Sequence, residues 1–201
     1  MPRFELWSLG PTIGPPLPGF VRRACVTRQF GRVVRQDPLP DGVAPWGWVR
    51  ADRPVAGLLG PHPGAVADLE LATWRGDFDP GDAGSLLDVT THGWPVARYR
   101  SGLADLAARG GHVYPQLYQP SRPTMTAAAF AHKALDKWAD LGYAPDQVCG
   151  LVSAGDGAYG RLVASTLIQA GAGVAIWTWA AKPTKDAQDM AAFVSRLAFP
   201  V

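Results

Sequence analysis

The sequence predicts an α/β protein in which parallel strands alternate with helices. Apolar runs of strand length recur along the chain and are bounded by glycine and proline, which number 23 and 19 among the 201 residues. In the second half of the chain, segments with apolar residues at helical spacing separate these runs. Strands that alternate with helices are joined by right-handed crossovers, and such connections produce a parallel sheet.

Eight segments are predicted to be strands because each is a short apolar run between turn residues. They cover residues 4–9, 19–26, 43–49, 65–70, 94–99, 112–118, 147–153 and 173–179. Five segments are predicted to be helices, at residues 82–89, 102–109, 126–142, 161–170 and 186–197. The helix over 126–142 has the clearest apolar stripe, and Gly142 supplies a stop.

Eight strands with intervening helices predict a compact (β/α)8 TIM-type barrel. The chain is at the short end of the size range for this fold, so we expect the N-terminal helices to be reduced or missing. We expect residues 1–201 to form one domain, since no linker or internal repeat interrupts the pattern.

Composition argues against several classes of protein. The formal net charge is only +2, which provides no basic stripe for nucleic acid. The N-terminal half does contain a group of arginines: Arg22, Arg23, Arg28, Arg32 and Arg35. We interpret this group as a solvated face, and the alternative is a contact with an acidic partner. No apolar run is long enough to span a bilayer, so no membrane partner is predicted.

The first residues, Met1 to Glu5, lack the apolar segment of a signal peptide. We therefore expect a protein that is cytoplasmic when made. If it acts outside a cell, it leaves by lysis or by assembly into a particle such as a virion.

Cysteine and histidine do not predict a metal site. Cys25 and Cys149 are interpreted as buried apolar residues, and a single disulfide between them stays open. The histidines are scattered; His62 and His112 are expected to face the active end of the fold, but no pair has ligand spacing. The acidic stretch at residues 77–82 lacks the glutamate of a calcium loop and indicates a turn with a helix N-cap. We predict no cofactor and no metal.

The predicted strand ends carry polar and aromatic side chains. In a parallel barrel these ends converge on one mouth, where active sites form. The side chains expected there are Trp46, Trp48, Asp68, Glu70, Arg98, Tyr99, Gln116, Tyr118, Ser153, Asp156, Trp177 and Trp179. Singly, each has an ordinary explanation, such as core packing for a Trp-x-Trp pair. Together, carboxyls, amide and phenol donors and indoles are what a sugar site needs.

Three of these motifs resemble those of glycoside hydrolase-type TIM barrels. They are Asp68-Leu69-Glu70, Tyr114-Pro115-Gln116-Leu117-Tyr118 and the segment 173–179, which ends Trp177-Thr178-Trp179. The nearest pattern is that of the chitinase-like group, and a similar layout occurs in glycoside-hydrolase-like domains of phage tail and lysis proteins and of actinobacterial wall proteins. The resemblance covers roughly residues 43–180.

The resemblance implies the role of each site residue. Glu70 would be the general acid, Asp68 would orient the substrate N-acetyl group that acts as nucleophile, and Tyr118 would assist. Gln116 would contact the sugar, and Trp177 or Trp179 would lie beneath it. We add Trp46, Trp48 and Tyr99 as substrate contacts from their positions at strand ends.

The chain departs from the chitinase-like motif at Val66, where the group has a further aspartate. Two functions therefore stay open. One is a glycosidase acting on a cell-wall amino-sugar polymer, with peptidoglycan or a chitin-like polysaccharide as partner. The other is a non-catalytic glycan-binding or structural barrel, with other particle subunits as partners.

Two other motifs predict different chemistry. Gly155-Asp156-Gly157-Ala158-Tyr159-Gly160 fits the glycine pattern of a dinucleotide-binding turn, but the next predicted strand ends without the acidic residue that would bind a ribose. We therefore interpret it as a loop and helix start. Ser153 lacks the glycine two residues before it that a nucleophile elbow requires.

Overall fold

The computed structural model describes residues 3–8, 23–27, 44–50, 65–68, 87–177 and 182–198. Within them lie eight β-strands and four α-helices. The strands are β1 (Phe4–Ser8), β2 (Arg23–Thr27), β3 (Ala44–Arg50), β4 (Ala65–Asp68), β5 (Leu87–His92), β6 (Val113–Gln116), β7 (Cys149–Ser153) and β8 (Gly173–Trp177). The helices are α1 (Arg100–Ala108), α2 (Ala127–Ala139), α3 (Gly157–Gln169) and α4 (Lys185–Ala198).

The sheet is parallel throughout and closes on itself. Each strand pairs with its neighbours in sequence, and β8 pairs with β1. At this closure Trp7 of β1 is in register with Trp177 of β8. All strands point the same way, so their last residues gather at one end of the sheet, which we call the carboxyl mouth. Those last residues are Ser8, Thr27, Arg50, Asp68, His92, Gln116, Ser153 and Trp177.

The predicted (β/α)8 fold is wrong. That fold has a helix after each strand, whereas the described residues hold four α-helices, and all four come after β5. The described chain is an α/β fold with too few helices for a (β/α)8 barrel. Eight strand-like runs do not by themselves predict eight helices: the sequence of residues 10–18, for example, includes four prolines and two glycines, a composition that does not favour a helix.

The segment around β5 also differs from the prediction. Residues 87–89, the end of a predicted helix, belong to β5, and the predicted strand over 94–99 is replaced by a 3-10 helix at Ala97–Tyr99. The run Val89-Thr90-Thr91 explains this, because β-branched side chains fit a pleated strand better than a helix. The other seven strands and the four helices overlap predicted segments.

Buried apolar side chains form two clusters on the two faces of the sheet. The outer cluster packs between the sheet and the helices and includes Leu6 and Val152. The interior cluster is enclosed by the sheet and consists of Trp7, Val66, Tyr114, Cys149, Leu151 and Ala175. Neighbouring strand residues enter different clusters because side chains alternate between faces. The burial of Cys149 confirms its interpretation as a buried apolar residue.

Helix α2 is capped at its first turn and is held to the segment after β5 by a buried tryptophan. The Thr126 hydroxyl accepts a hydrogen bond from the Ala129 N–H at 3.2 Å, which caps the first turn. Gly142, with φ of 90°, ends the segment as predicted. Between them, the buried Trp138 donates its indole N–H to the Gly93 carbonyl at 3.1 Å, which holds the segment after β5 against the helix.

Gln147 performs a similar task between helix and strand. Its amide nitrogen donates to the carbonyls of Ala107 and Gly111, each at 3.0 Å, and its oxygen accepts from the Ala144 N–H at 2.9 Å. One side chain thus joins the end of α1 to the entry of β7.

In the described part of the chain, none of the helices has the length and apolar character needed to cross a membrane.

Candidate functional site

Two of the predicted site residues pack on the same interior surface at the carboxyl mouth. Tyr118 follows β6 and Trp177 ends β8; both are half-buried and both contact the interior cluster. Gln116, the last residue of β6, is half-buried and in register with Leu151, a member of that cluster. A phenol, an indole and an amide are therefore positioned at one end of the sheet.

The loops after β6 and β7 are joined beside these side chains. The Gln119 N–H donates to Asp156 Oδ2 at 2.7 Å, and the Ser153 hydroxyl accepts from the Gly155 N–H at 3.2 Å. The first bond connects the residue after Tyr118 to the loop that follows β7. This connection restricts the backbone that carries Tyr118.

Trp7 packs beside Trp177, its register partner on the neighbouring strand. Its ring is 6.5 Å from the Trp177 ring, centroid to centroid, at an interplanar angle of 63°. On its other side it is 5.1 Å from the Tyr114 ring at 46°. Trp7 is 1% exposed, so it supports the mouth and does not contact solvent. The sequence analysis did not single out Trp7, although its register with Trp177 follows once β1 and β8 are neighbours.

Glu5 is a second residue that the sequence analysis did not assign to the site. It is 2% exposed, and its Oε1 accepts from the Tyr114 hydroxyl at 2.9 Å. Its Oε2 accepts from the Trp7 indole N–H at 3.3 Å. The sequence carried a weak signal: Glu5 has the same parity as Trp7 in an otherwise apolar strand, so both side chains face the interior.

Asp88 extends this buried polar group toward the amino ends of the strands. The Tyr114 hydroxyl is 3.5 Å from Asp88 Oδ2, while Asp88 Oδ1 accepts from the His112 backbone N–H at 2.9 Å. The His112 ring Nδ1 lies 3.2 Å from the same oxygen. His112 precedes β6 and is therefore at the end opposite the carboxyl mouth, so the prediction that it faces the mouth is wrong.

Tyr143 is close to the same carboxylate. Burial raises the pKa of its phenol well above the ordinary value, and the negative charge of Asp88 raises it further. Its hydroxyl is buried and has no hydrogen-bond partner among the described residues. Tyr143 is therefore held in its neutral form across the whole physiological pH range.

The remaining predicted residues are placed as follows. Asp68 is the last residue of β4, with Thr90 as its register partner on β5, and Trp46 and Trp48 lie on β3. For Asp68, Trp46 and Trp48 the structure describes the path of the backbone. Glu70 and Trp179 lie outside the described residues.

Tyr99 is not part of the group at the mouth. It ends the 3-10 helix before α1, is 4% exposed and belongs to the outer cluster, between the sheet and the helices.

Trp94, two residues after the end of β5, is 39% exposed. Its ring meets that of Phe130 edge-on, with centroids 5.5 Å apart, and Lys133 Nζ is 5.0 Å from its centroid.

Two of the three glycines in the dinucleotide-like motif have structural explanations. Gly157, with φ of 54°, lies at the start of α3, and a Cβ at Gly160 would come within 3.0 Å of the Ser153 carbonyl. Asp156 is the N-cap residue of α3, and its carboxylate accepts from the Gln119 N–H, so a negative charge lies near the helix start where a phosphate would bind. Within the described ranges, no group of three or more His, Cys, Asp or Glu side chains is arranged to hold a metal ion.

Comparison of the sequence with protein-family models and with curated proteins found no match. The resemblance to glycoside hydrolases therefore depends on the motif residues alone.

Proposed function

We propose that this chain binds an amino-sugar polymer of a cell wall at the carboxyl mouth and hydrolyses it with Glu70 as general acid. One observation carries the proposal. Tyr118 and Trp177, which the sequence motifs assigned to sugar binding, are both half-buried and both pack against the same interior cluster. Rigid aromatic rings with one exposed part suit the apolar faces of pyranose rings.

The side chains at the carboxyl mouth would each contact the sugar in a different way. Trp177 provides a stacking face, and its ring packs edge-on against that of Trp7, with centroids 6.5 Å apart. Gln116 offers an amide that both donates and accepts hydrogen bonds, which matches the hydroxyl and N-acetyl groups of an amino sugar. The joined loops after β6 and β7 keep Tyr118 at the edge of this surface.

The chemical step follows from the Asp-x-Glu motif. Glu70, in its protonated form, donates its proton to the glycosidic oxygen as the bond from that oxygen to the anomeric carbon breaks. The N-acetyl oxygen of the same sugar then bonds to the anomeric carbon, and Asp68 orients the acetamido N–H. Water attacks the anomeric carbon, releases the N-acetyl oxygen and returns a proton to the Glu70 carboxylate. Substrate assistance of this kind needs one protein acid, whereas most glycosidases need two.

A second candidate function is glycan binding without hydrolysis, in a wall-binding or phage-particle protein. The observation that favours it is Val66, which is 0% exposed within the interior cluster. The chitinase-like motif has an aspartate at this position, and an apolar residue there cannot support the charge state of Asp68. The aromatic surface at the mouth is unaffected by this change.

The test is release of soluble sugar from peptidoglycan and from chitin oligomers by the wild type and by Glu70→Gln. Asp136→Asn, which changes an exposed carboxylate on α2, is the matched control. Release by wild type and control, with loss in Glu70→Gln and retained glycan binding, supports hydrolysis with Glu70 as acid. Binding without release by the folded wild type supports the second candidate, and equal release by Glu70→Gln contradicts the assignment of Glu70.

A further inference from the structure

Glu5 is a buried carboxylate for which the proposed reaction has no use. Both of its oxygens accept hydrogen bonds from aromatic residues: Oε1 from the Tyr114 hydroxyl at 2.9 Å and Oε2 from the Trp7 indole at 3.3 Å. Each bond sets the position of a ring, because the indole N–H and the phenol O–H lie at fixed places on rigid side chains.

The two rings held by Glu5 connect it to the carboxyl mouth. Trp7 packs against Tyr114 on one side and against Trp177 on the other, with centroid distances of 5.1 and 6.5 Å. Trp177 is the ring that would stack on a sugar. A change in the orientation of Trp7 would therefore change the surface that meets the ligand.

Glu5 is 2% exposed, and burying a carboxyl group carries a desolvation cost that an apolar residue of similar volume avoids. A carboxylate does provide two acceptors at a fixed separation, which is the pattern needed to orient one indole and one phenol together. Polar groups in a core are retained in some systems because they specify a single arrangement.

We propose that Glu5 is a positioning residue, which orients Trp7 and Tyr114 so that Trp177 presents its stacking face at the carboxyl mouth. This inference rests on the proposed glycan-binding function. It extends that function to a residue below the site that does not contact the sugar.

The experiment compares Glu5→Leu with Glu5→Gln. Glutamine reproduces the pattern without charge: its oxygen accepts from Trp7, its amide donates to the Tyr114 oxygen, and the Tyr114 hydrogen turns to Asp88, whose Oδ2 is 3.5 Å away. Leucine keeps the volume and removes both acceptors. We expect Glu5→Leu to weaken binding of a chitin tetramer by about tenfold, the loss of roughly one oriented contact, and Glu5→Gln to restore most of the affinity.

A spectroscopic reading separates this proposal from the proposed function. The near-ultraviolet circular dichroism of Trp177 is obtained by subtracting the spectrum of Trp177→Phe, in the wild type and again in the Glu5→Leu background. A smaller Trp177 signal in Glu5→Leu, with an unchanged far-ultraviolet spectrum, supports the positioning role of Glu5. If the wild type binds neither chitin tetramer nor peptidoglycan fragments, that result contradicts the glycan function and leaves the positioning role of Glu5 intact.

An unchanged Trp177 signal in folded Glu5→Leu, or affinity within twofold of wild type, overturns the positioning role. If Glu5→Leu does not fold, Tyr114→Phe takes its place, because it removes the Oε1 contact and leaves the Trp7 and Trp177 rings in place. The same two outcomes then apply to the Trp177 signal.

Discussion

The Tyr114 hydroxyl donates to Glu5 Oε1 at 2.9 Å across the interior of the closed sheet, between residues 109 positions apart in the chain. The bond joins β1 to β6, which are not neighbours in the strand order. Because Asp88 Oδ2 is also within 3.5 Å of the same hydroxyl, one hydrogen serves two buried carboxylates. The interior of this sheet is thus organised by a polar group as well as by apolar packing.

Replacing Tyr114 by phenylalanine should destabilise the protein. Glu5 loses the 2.9 Å hydrogen bond and stays buried, which costs about 1–3 kcal/mol of unfolding free energy. The matched control is Tyr143→Phe, because the Tyr143 hydroxyl is buried without a hydrogen-bond partner among the described residues; it should change stability by less than about 0.5 kcal/mol or raise it. Chemical denaturation of both variants measures the difference, and equal losses would contradict the role given to Tyr114.

Tyr143 should make stability depend on pH in the alkaline range. Its pKa is raised in the folded protein, so the folded state retains the proton at pH values where the unfolded chain, with a tyrosine pKa of about 10, releases it. The contribution is present in full below pH 10 and is lost as pH rises above it. Unfolding free energies measured from pH 8 upward should fall more steeply in wild type than in Tyr143→Phe; parallel curves would contradict this account.

Gln147→Ala should loosen the contact between α1 and β7. The change removes three hydrogen bonds, to the Ala107 and Gly111 carbonyls and from the Ala144 N–H. We expect a loss of about 1–2 kcal/mol, since the Gly111 carbonyl and the Ala144 N–H lose this partner, whereas the Ala107 carbonyl keeps the Gly110 N–H. Gln169→Ala, at an exposed position at the end of α3, is the control and should be close to neutral. Thermal unfolding of the pair tests this, and similar melting temperatures would show that Gln147 is replaceable.

Thr126→Ala should destabilise α2 by removing its N-cap. The Thr126 hydroxyl accepts from the Ala129 N–H, and loss of such a cap costs about 1 kcal/mol. Thr126→Ser keeps the hydroxyl and should retain most of the stability. Denaturant midpoints that order the two variants the other way would contradict the capping role.

Trp177→Ala should abolish most glycan affinity, whereas Trp177→Phe should keep part of it, because phenylalanine preserves a stacking face. Stacking contacts of this kind are worth roughly 0.5–1.5 kcal/mol beyond the area they bury. Isothermal titration with chitin tetramer measures both. Wild-type affinity in a folded Trp177→Ala protein would place the sugar elsewhere.

The sequence allowed correct prediction where structure depends on local patterns. The periodicity of α2 and its Gly142 stop were evident from a short window, and the predicted strands over 112–118 and 173–179 contain β6 and β8, which end two residues earlier, at Gln116 and Trp177. The same approach was wrong at residues 82–99, where scattered apolar residues predicted a helix over 82–89 and then a strand over 94–99. The β-branched run Val89-Thr90-Thr91 lies in β5, and a 3-10 helix occupies Ala97–Tyr99. Eight strand-like runs also suggested a (β/α)8 barrel with reduced N-terminal helices, but the described chain has too few helices for that fold.

The sequence by itself determined the α/β class and the segments that contain β6 and β8, because the strand and helix periods are visible in neighbouring residues. Only the tertiary structure decided that Glu5, Tyr114 and Asp88 meet inside the sheet, and that Trp7 supports Trp177. The physical reason is that these contacts arise from closure of the sheet and from the register between β1 and β8. That register depends on packing across the whole interior and has no counterpart in any short stretch of the chain.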